Sequence, residues 1–247
     1  MSERLSSSAE IIPVSRTGFV PRCDVVVDCA AYGNRYDQKD EGEIYTANVM
    51  RLASMLRCVN KYQYRAFIVT STSSVLLPHQ TFYSASKKAA EEMALIWARD
   101  NNKPIAAVRP ASITGPGEQE EHLIPKLIRA AYTGEEIPFV PEPTHDFIHI
   151  DDYVNGVICV IDNIEKAKGK AYNVSSGVSV SNETVLDLVR HATGRSIRTR
   201  TIENMRPYDT PDWVVDNSDL RALGWQPKHS LYDTIKQMVE EYERENT

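Results

Sequence analysis

A tyrosine and a lysine four residues apart give this sequence its clearest chemical signal. The pattern over residues 82–98 is helical, so Tyr83 and Lys87 are expected one turn apart on the same helix face. An ammonium beside a phenol favours the phenolate, and we therefore expect Lys87 to lower the pKa of Tyr83 below its ordinary value of about 10. Tyr83 is thus predicted to act as a proton-transfer group, although such pairs are common on solvated helices and need support from their surroundings.

That support comes from a hydroxyl cluster ten residues upstream. Residues 65–70 are predicted to form a buried strand, and Ser71, Thr72, Ser73 and Ser74 follow directly. Active sites of open α/β sheets lie at the carboxyl ends of strands. We expect Ser73, with Ser71 as the second choice, to hydrogen-bond the substrate oxygen that gains or loses the proton.

The elements that must position these groups follow an alternating order. Apolar runs rich in β-branched residues alternate with helical patterns, which predicts an α/β fold with a parallel sheet and helices on both faces. After residue 117 the elements become shorter and proline more frequent. The strands are predicted at 24–28, 65–70 and 105–109, and the helices at 43–60, 82–100 and 120–133.

The later part of the chain continues this mixture. We predict a strand followed by a helix over 146–163, a strand at 171–175, and a terminal helix at 230–243. Ser181 is expected to cap a further helix. Asp151 and Asp152 are expected to cap a helix that begins near Tyr153.

Composition excludes several classes of protein. The 247 residues are 42% hydrophobic, and the net charge of −6 comes without a basic run, so we expect no nucleic-acid partner. There is no apolar segment of the roughly 20 residues that span a bilayer and no signal-peptide core, so we expect no membrane association and a cytoplasmic location. The four cysteines and six histidines show no ligand spacing, and we predict no metal.

Six segments, in order along the chain, resemble one family. They suggest its fourth strand, the helix after it, its sixth strand with a substrate loop, a D-F-x-x-V-D-D segment, and two parts of its C-terminal substrate region. With the Tyr83 and Lys87 pair, they are similar to the extended short-chain dehydrogenase/reductases, the NAD-dependent epimerases and dehydratases of nucleotide sugars. The segments are 24–32, 47–49, 108–117, 146–152, 172–177 and 223–227.

The resemblance implies a Rossmann-like domain over 1–117, with parts of 146–175, and a small C-terminal substrate lobe over most of 118–247. It implies an epimerase, dehydratase or reductase of a nucleotide sugar, with NAD or NADP as cofactor and Ser73, Tyr83 and Lys87 as the catalytic set. The cofactor contacts that it implies are Arg16, Ala30, Ala31, Tyr32, Asn48, Ser71, Lys87, Pro110 and Ser112. The substrate contacts are Ser73, Ser112, Thr114, His145 and Arg206.

Two positions of the substrate region differ in how well they match. Arg206 occupies the place of an arginine with which the family holds the diphosphate. His145 stands where the family has a second arginine, and a histidine is only partly charged at neutral pH. The resemblance therefore implies weaker or altered binding of a diphosphate.

The front of the chain departs from the family. The sequence contains no G-x-x-G-x-x-G turn, whose backbone and helix N-terminus would hold the pyrophosphate. Residues 2–15 resemble the end of the family's first helix running into its second strand, which Arg16 would end. Only seven residues then separate Arg16 from Asp24, so the first strand and a later segment are expected to be missing.

Two consequences are expected from this departure. Cofactor affinity should fall by several orders of magnitude unless a partner supplies the missing donors. A sheet without its central strand exposes backbone groups, so we expect a homodimer or pairing with another subunit. Two alternatives stay open: a cofactor-free binding or regulatory subunit, and a truncated product of a full-length enzyme.

Overall fold

The computed structural model describes residues 10–14, 20–35, 37–59, 61–206 and 212–246. The chain forms two compact units, each described here by itself. The first unit comprises Met1–Pro110, Val154–Asn173 and Asp219–Trp225, and the second comprises Ala111–Tyr153, Val174–Ser218 and Gln226–Thr247.

The first unit contains a four-stranded sheet in the order β1-β2-β3-β7. Strands β1 and β2 pair in parallel, as do β2 and β3, with Val26 beside Phe67 and Phe67 beside Ile105. The apolar runs predicted as strands are confirmed within one residue at each end. The strands are β1 (Val25–Asp28), β2 (Ala66–Thr70), β3 (Ile105–Pro110) and β7 (Ala171–Val174).

Helices alternate with these strands. The predicted helix at 82–100 is confirmed as α3, and it begins at Thr81 with a capping box in which the Thr81 and Ser84 side chains each accept from the other residue's backbone N–H. A π-helical turn, Thr46–Met50, joins α1 to α2. The helices are α1 (Glu41–Tyr45), α2 (Arg51–Val59), α3 (Phe82–Asp100), α5 (Ile150–Asp162), α6 (Ile164–Ala167) and α8 (Ser218–Arg221).

The core of this unit follows the two-residue period of its strands. Val26, Phe67, Val69, Ile105 and Ala107 share one sheet face, and α2 and α3 pack on that face with their apolar sides. The residues between them, such as Ile68, Ala106 and Val108, are also fully buried. Burial of both faces is typical of a parallel sheet. The predicted fold class is confirmed.

The second unit is built from short strands and three longer helices around its own core. Ser181 caps α7 by accepting from the Thr184 N–H, as predicted. Strands β4, β6 and β8 form one sheet, and β5 pairs with β9. The elements are β4 (Ser112–Thr114), α4 (Leu123–Thr133), β5 (Glu136–Phe139), β6 (Thr144–His149), β8 (Ser179–Ser181), α7 (Asn182–Thr193), β9 (Arg198–Thr201) and α9 (Leu231–Glu245).

Two expectations about local structure are wrong. Residues 10–14 are not in a strand: Ile11, Ile12 and Val14 are exposed, and Pro13 has no N–H to donate to a ladder. Asp151 and Asp152 do not cap a helix at Tyr153, because α5 already begins at Ile150. In the described part of the chain, no helix is both long enough and apolar enough to span a membrane.

Candidate active site

The predicted Tyr83 and Lys87 pair lies in the first two turns of α3, the helix that follows β2. Tyr83 is partly buried, and its hydroxyl makes no hydrogen bond to the described residues. The Lys87 side chain lies deeper, with the residue only 4% exposed. The helix therefore places a partly buried phenol and a more deeply buried lysine one turn apart.

The expected lowering of the Tyr83 pKa is wrong for this structure. Burial raises the pKa of Tyr83 to about 12, because a phenolate would lose much of its hydration there. The charge of Lys87 does not offset this effect, because burial alone acts on the Tyr83 pKa in this structure. Tyr83 is therefore a neutral phenol at neutral pH and is suited to donate a proton.

Lys87 has an unusual electrostatic setting for a buried cation. Burial lowers its pKa, while the charge of Asp28 raises it and the charge of Arg51 lowers it. Among the described residues Lys87 forms no ion pair and no hydrogen bond. Buried charges in proteins are normally paired, so an unpaired one indicates a place where a ligand group is held.

Asp28 and Glu91, whose charges raise the pKa of Lys87, are each bound by an arginine instead. Both carboxylate oxygens of Asp28 accept from Arg51 Nη2, at 2.5 and 2.7 Å. Glu91 lies one helical turn after Lys87 and accepts from Arg109, with Nε to Oε2 at 2.9 Å. Sequence reasoning missed both ion pairs. A charged residue on the apolar face of a strand or helix was the available signal, as for Asp28 after Val25–Val27.

The hydroxyl cluster follows β2 as expected. Ser73 opens a 3₁₀ turn, Ser73–Leu76, in which the Thr72 hydroxyl accepts from the Ser74 N–H. Ser71 continues the ladder through its N–H to the Val108 carbonyl, at 2.7 Å. Both Ser71 and Ser73 are buried, and the Ser71 hydroxyl has no hydrogen-bond partner in the described part of the chain. A buried hydroxyl without a partner is suited to receive a ligand.

The loop after β1 carries three of the predicted cofactor contacts, Ala30, Ala31 and Tyr32. Asn48, from the π-helical turn, fixes this loop because it accepts from the Tyr32 N–H and donates to the Tyr32 carbonyl, both at 2.9 Å. Asn48 also donates to the Ser86 hydroxyl at 2.8 Å. Its side chain is therefore committed to holding the loop against α3. Arg16 lies outside the described residues.

The remaining predicted contacts lie at or beyond the end of β3. Pro110 is its last residue, and Ser112 opens β4 of the second unit. Thr114 is buried and donates to Glu118 Oε2 at 2.6 Å, so its hydroxyl is already engaged. His145, on β6, packs against the rings of Phe147 and Trp213.

Arg206 is exposed, and the Asn204 side chain accepts its backbone N–H at 2.9 Å. The segment 207–211 that follows lies outside the described residues. For this position the structure therefore shows a backbone anchor and an accessible guanidinium. Its contact with substrate stays a prediction.

Carboxylates on β6 and in the first turn of α5, residues that belong to the second unit, organise that unit. Asp146 accepts from the backbone N–H groups of Ser176 and Gly177, at 2.8 and 2.9 Å. Asp152 accepts from the N–H groups of Lys228 and His229, both at 2.9 Å. Asp152 thus holds the segment before α9 rather than capping α5, because its carboxylate is fully buried and satisfies backbone donors from that segment.

A stacked pair of histidines was not foreseen. The rings of His149 and His229 lie 4.0 Å apart, centre to centre. Ligand atoms of these two residues and of Asp151 lie within 4.8 Å of one another, a spacing compatible with a metal ion. However, His149 Nδ1 accepts from the Asp151 N–H and Nε2 bonds Gln237 Oε1, both at 3.0 Å. Both ring nitrogens are engaged, so we assign His149 a structural role.

This arrangement predicts a loss of stability in acid. Burial lowers the pKa of His149 below its ordinary 6.5 and outweighs the hydrogen bond to Gln237, which raises it; the charge of His229 lowers it further. The unfolded chain therefore binds the proton first, so the free energy of unfolding should fall as pH drops below 6.5. Chemical denaturation between about pH 7.5 and about pH 5.5 should show a smaller fall for His149→Gln than for the native sequence. The exposed His79, changed to Gln, is the matched control, and an equal fall in all three proteins would contradict the assignment.

The parallel sheet, with a Tyr-x-x-x-Lys helix and a hydroxyl cluster following β2, defines a Rossmann-like α/β protein. The sequence model of the NAD dependent epimerase/dehydratase family matches residues 14–175. The chain belongs to this family, and the family predicted from its motifs is confirmed.

Individual relatives are distant. The Low-salt glycan biosynthesis protein Agl12 of Haloferax volcanii is 28% identical over 65% of this chain and 52% of its own length. The dTDP-glucose 4,6-dehydratase of Streptomyces griseus is 24% identical over 83% of this chain and 67% of its own length. The match thus spans about half of the first relative and two thirds of the second.

Solved structures agree with this fold. MoeE5, in complex with UDP-glucose and NAD, superposes with a TM-score of 0.82 over 91% of this chain and 80% of its own. Its sequence is 23% identical. At this identity the likeness establishes the shared architecture.

Proposed function

We propose that this chain is an NAD(P)-dependent oxidoreductase that acts on the sugar of a nucleotide sugar, as an epimerase, dehydratase or reductase. The observation that carries the proposal is the buried Lys87 side chain, which lies one turn from Tyr83 with no ion pair among the described residues. Structural lysines at this depth are normally paired. An unpaired one is suited to hold a phenolate and the hydroxyl groups of a bound ligand.

Each residue of the site has a separate role in the proposal. Tyr83 exchanges a proton with the oxygen of the reacting carbon: it donates to a ketone, or accepts from a hydroxyl when its phenolate is stabilised. Lys87 supplies the positive charge that stabilises the phenolate. Ser73, with Ser71 as the second choice, hydrogen-bonds the same oxygen and orients it.

The first unit has features that fit the nicotinamide end of the cofactor. Within the described ranges, the Ser71 hydroxyl has no hydrogen-bond partner and Lys87 has no ion pair, and both lie on segments that follow β2. Asn48 fixes the Tyr32 loop after β1. When bound, the cofactor supplies the two-electron acceptor or donor that sugar oxidation or reduction needs. Pyrophosphate binding has no matching glycine-rich turn in this sequence.

On the substrate side, the proposal rests on the relatives. One of them is a dTDP-glucose dehydratase by name, and MoeE5 binds UDP-glucose by its title. We assign Ser112 and Arg206 to substrate contact, with His145 in the place of a second cation. Thr114 is a weaker candidate for substrate contact, because its hydroxyl already donates to Glu118.

The missing glycine-rich turn favours a second candidate function. A chain without the pyrophosphate donors could serve as a cofactor-free binding or regulatory subunit. It would then pair with another subunit, and β1, an edge strand of the described sheet, offers backbone groups for that contact. The unpaired Lys87 argues for the enzyme, because a subunit without a ligand gains nothing from a buried charge.

Cofactor titration separates the two candidates. NADH and NADPH fluorescence, with calorimetry for the oxidised forms, should detect binding to the purified protein, and Lys87→Met should weaken it. Turnover is then sought with UDP-glucose and dTDP-glucose as probes. Binding of a cofactor that Lys87→Met weakens supports the enzyme. Absence of binding at millimolar cofactor would contradict it and favour the regulatory subunit.

A further inference from the structure

We propose that Arg51 is a positioning residue, which holds Asp28 in a closed ion pair and so keeps it from capturing the Lys87 ammonium. Lys87 then stays available to Tyr83 and to a bound ligand. The catalytic consequence of this arrangement rests on the proposed function. The electrostatic arrangement itself does not depend on the proposed function.

Asp28 points to the face of the sheet that is covered by helices. Asp28 lies on the same face of β1 as Val26, because side chains alternate along a strand. Helices α2 and α3 pack on this face through residues such as Leu52 and Ala90. Asp28 and Lys87 therefore lie between the sheet and these helices, in one buried layer at the carboxyl end of the strands.

Asp28 is fully engaged within that layer. Its two oxygens accept from Arg51 Nη2, and Oδ1 also accepts from the Ala30 N–H at 3.2 Å. Arg51 is held in turn, since its Nε donates to the Ala47 carbonyl at 3.2 Å. The π-helical turn directly before Arg51 changes the helix register at this point, and such turns are frequent at functional sites.

Glu91, the second carboxylate near Lys87, is also held in an ion pair with an arginine. Glu91 lies four residues after Lys87, a spacing at which a lysine and a glutamate normally pair. Arg109, on the same strand face as Ala107, binds Glu91 through both Nε and Nη2. Among the described residues, these five charged groups therefore form two ion pairs and leave Lys87 without an ion-pair partner.

Removing the Arg51 charge should change which cation pairs with Asp28. Asp28 would be left buried without its partner, which is costly, and the Lys87 ammonium lies within its electrostatic reach. An Asp28–Lys87 pair would stabilise the ammonium and hold it away from Tyr83. The variant Arg51→Met keeps an unbranched apolar stem and removes the guanidinium with its charge and donors.

The experiment measures the amine of Lys87 directly. NMR of ¹³C-labelled lysine follows its ionisation with pH, and the spectrum of Lys87→Met assigns the signal. Arg51→Met should raise the pKa of Lys87 and lower turnover by roughly 10-fold or more. The double variant Asp28→Asn/Arg51→Met should return the Lys87 pKa to the native value or below it and restore much of the turnover.

Controls make the outcomes distinct. Arg57→Met, an exposed arginine on the same helix, should change neither quantity. An unchanged Lys87 pKa in folded Arg51→Met, or no recovery of that pKa in the double variant, would overturn the proposal.

If Arg51→Met does not fold, Asp28→Asn replaces it: the Lys87 pKa should then fall, and an unchanged value would overturn the proposal equally. A shifted pKa without any turnover in the native protein refutes the proposed function alone.

Discussion

Replacing Tyr83 with phenylalanine is expected to lower kcat by roughly 10²–10⁴-fold and to leave the fold intact. The phenol hydroxyl is the only group removed, and it makes no hydrogen bond to the described residues, so no structural contact is lost. The substrate oxygen then lacks the phenol with which it exchanges its proton. Steady-state kinetics and chemical denaturation of the same preparation measure both effects.

The matched control for this change is Tyr45→Phe. Tyr45, on α1, is exposed, and its substitution removes the same atom from a surface position. Its kcat and its free energy of unfolding should both stay at the native values. A Tyr83→Phe enzyme with undiminished kcat would remove Tyr83 from the mechanism.

Replacing Lys87 with methionine should abolish activity and make the protein more stable. Methionine fills a similar volume without a charge, so the cost of burying an unpaired ammonium disappears. We expect the free energy of unfolding to rise by about 1–2 kcal/mol at neutral pH, while kcat falls by roughly 10²-fold or more. A gain of stability with a loss of activity is typical of a group kept for function.

The pH dependence identifies the cause of this gain. The pKa of Lys87 is lowered from 10.5 in the folded state, so the unfolded chain binds its proton more tightly, and native stability rises with pH up to about that value. The advantage of Lys87→Met should therefore shrink as pH approaches 10.5. Lys88→Met, at the exposed neighbouring position, is the control. A loss of stability in Lys87→Met would indicate an ion pair that the structure lacks.

Local patterns predicted most of the fold because they record burial directly. The run at 65–70 is β2, since every residue from Ala66 to Val69 is buried and the sheet is covered on both faces. The helix at 82–100 follows from its apolar period and the Thr81 cap. The strand expected at 10–14 is wrong. Ile11 and Ile12 are residue types typical of strands, but in the described part of the chain they are exposed and no strand pairs with them.

The electrostatics of the site could not be predicted in the same way. Spacing alone identifies Tyr83 and Lys87, because one helix carries both. Asp28 and Arg51 are 23 residues apart and meet only when α2 packs on the sheet. The direction of the Tyr83 pKa depends on burial of the phenol, which no spacing reveals.

The central claim is that Tyr83 becomes an acid–base group when the site is filled. NMR of ¹³Cζ-labelled tyrosine measures its ionisation directly, with Tyr83→Phe to assign the signal. Without cofactor the pKa of Tyr83 should lie near the value of about 12 that burial gives it. With saturating oxidised cofactor a second positive charge joins Lys87, and we predict that the Tyr83 pKa falls by at least about one unit. A pKa that stays near 12 at saturation, or a signal that never responds to cofactor, would contradict this account.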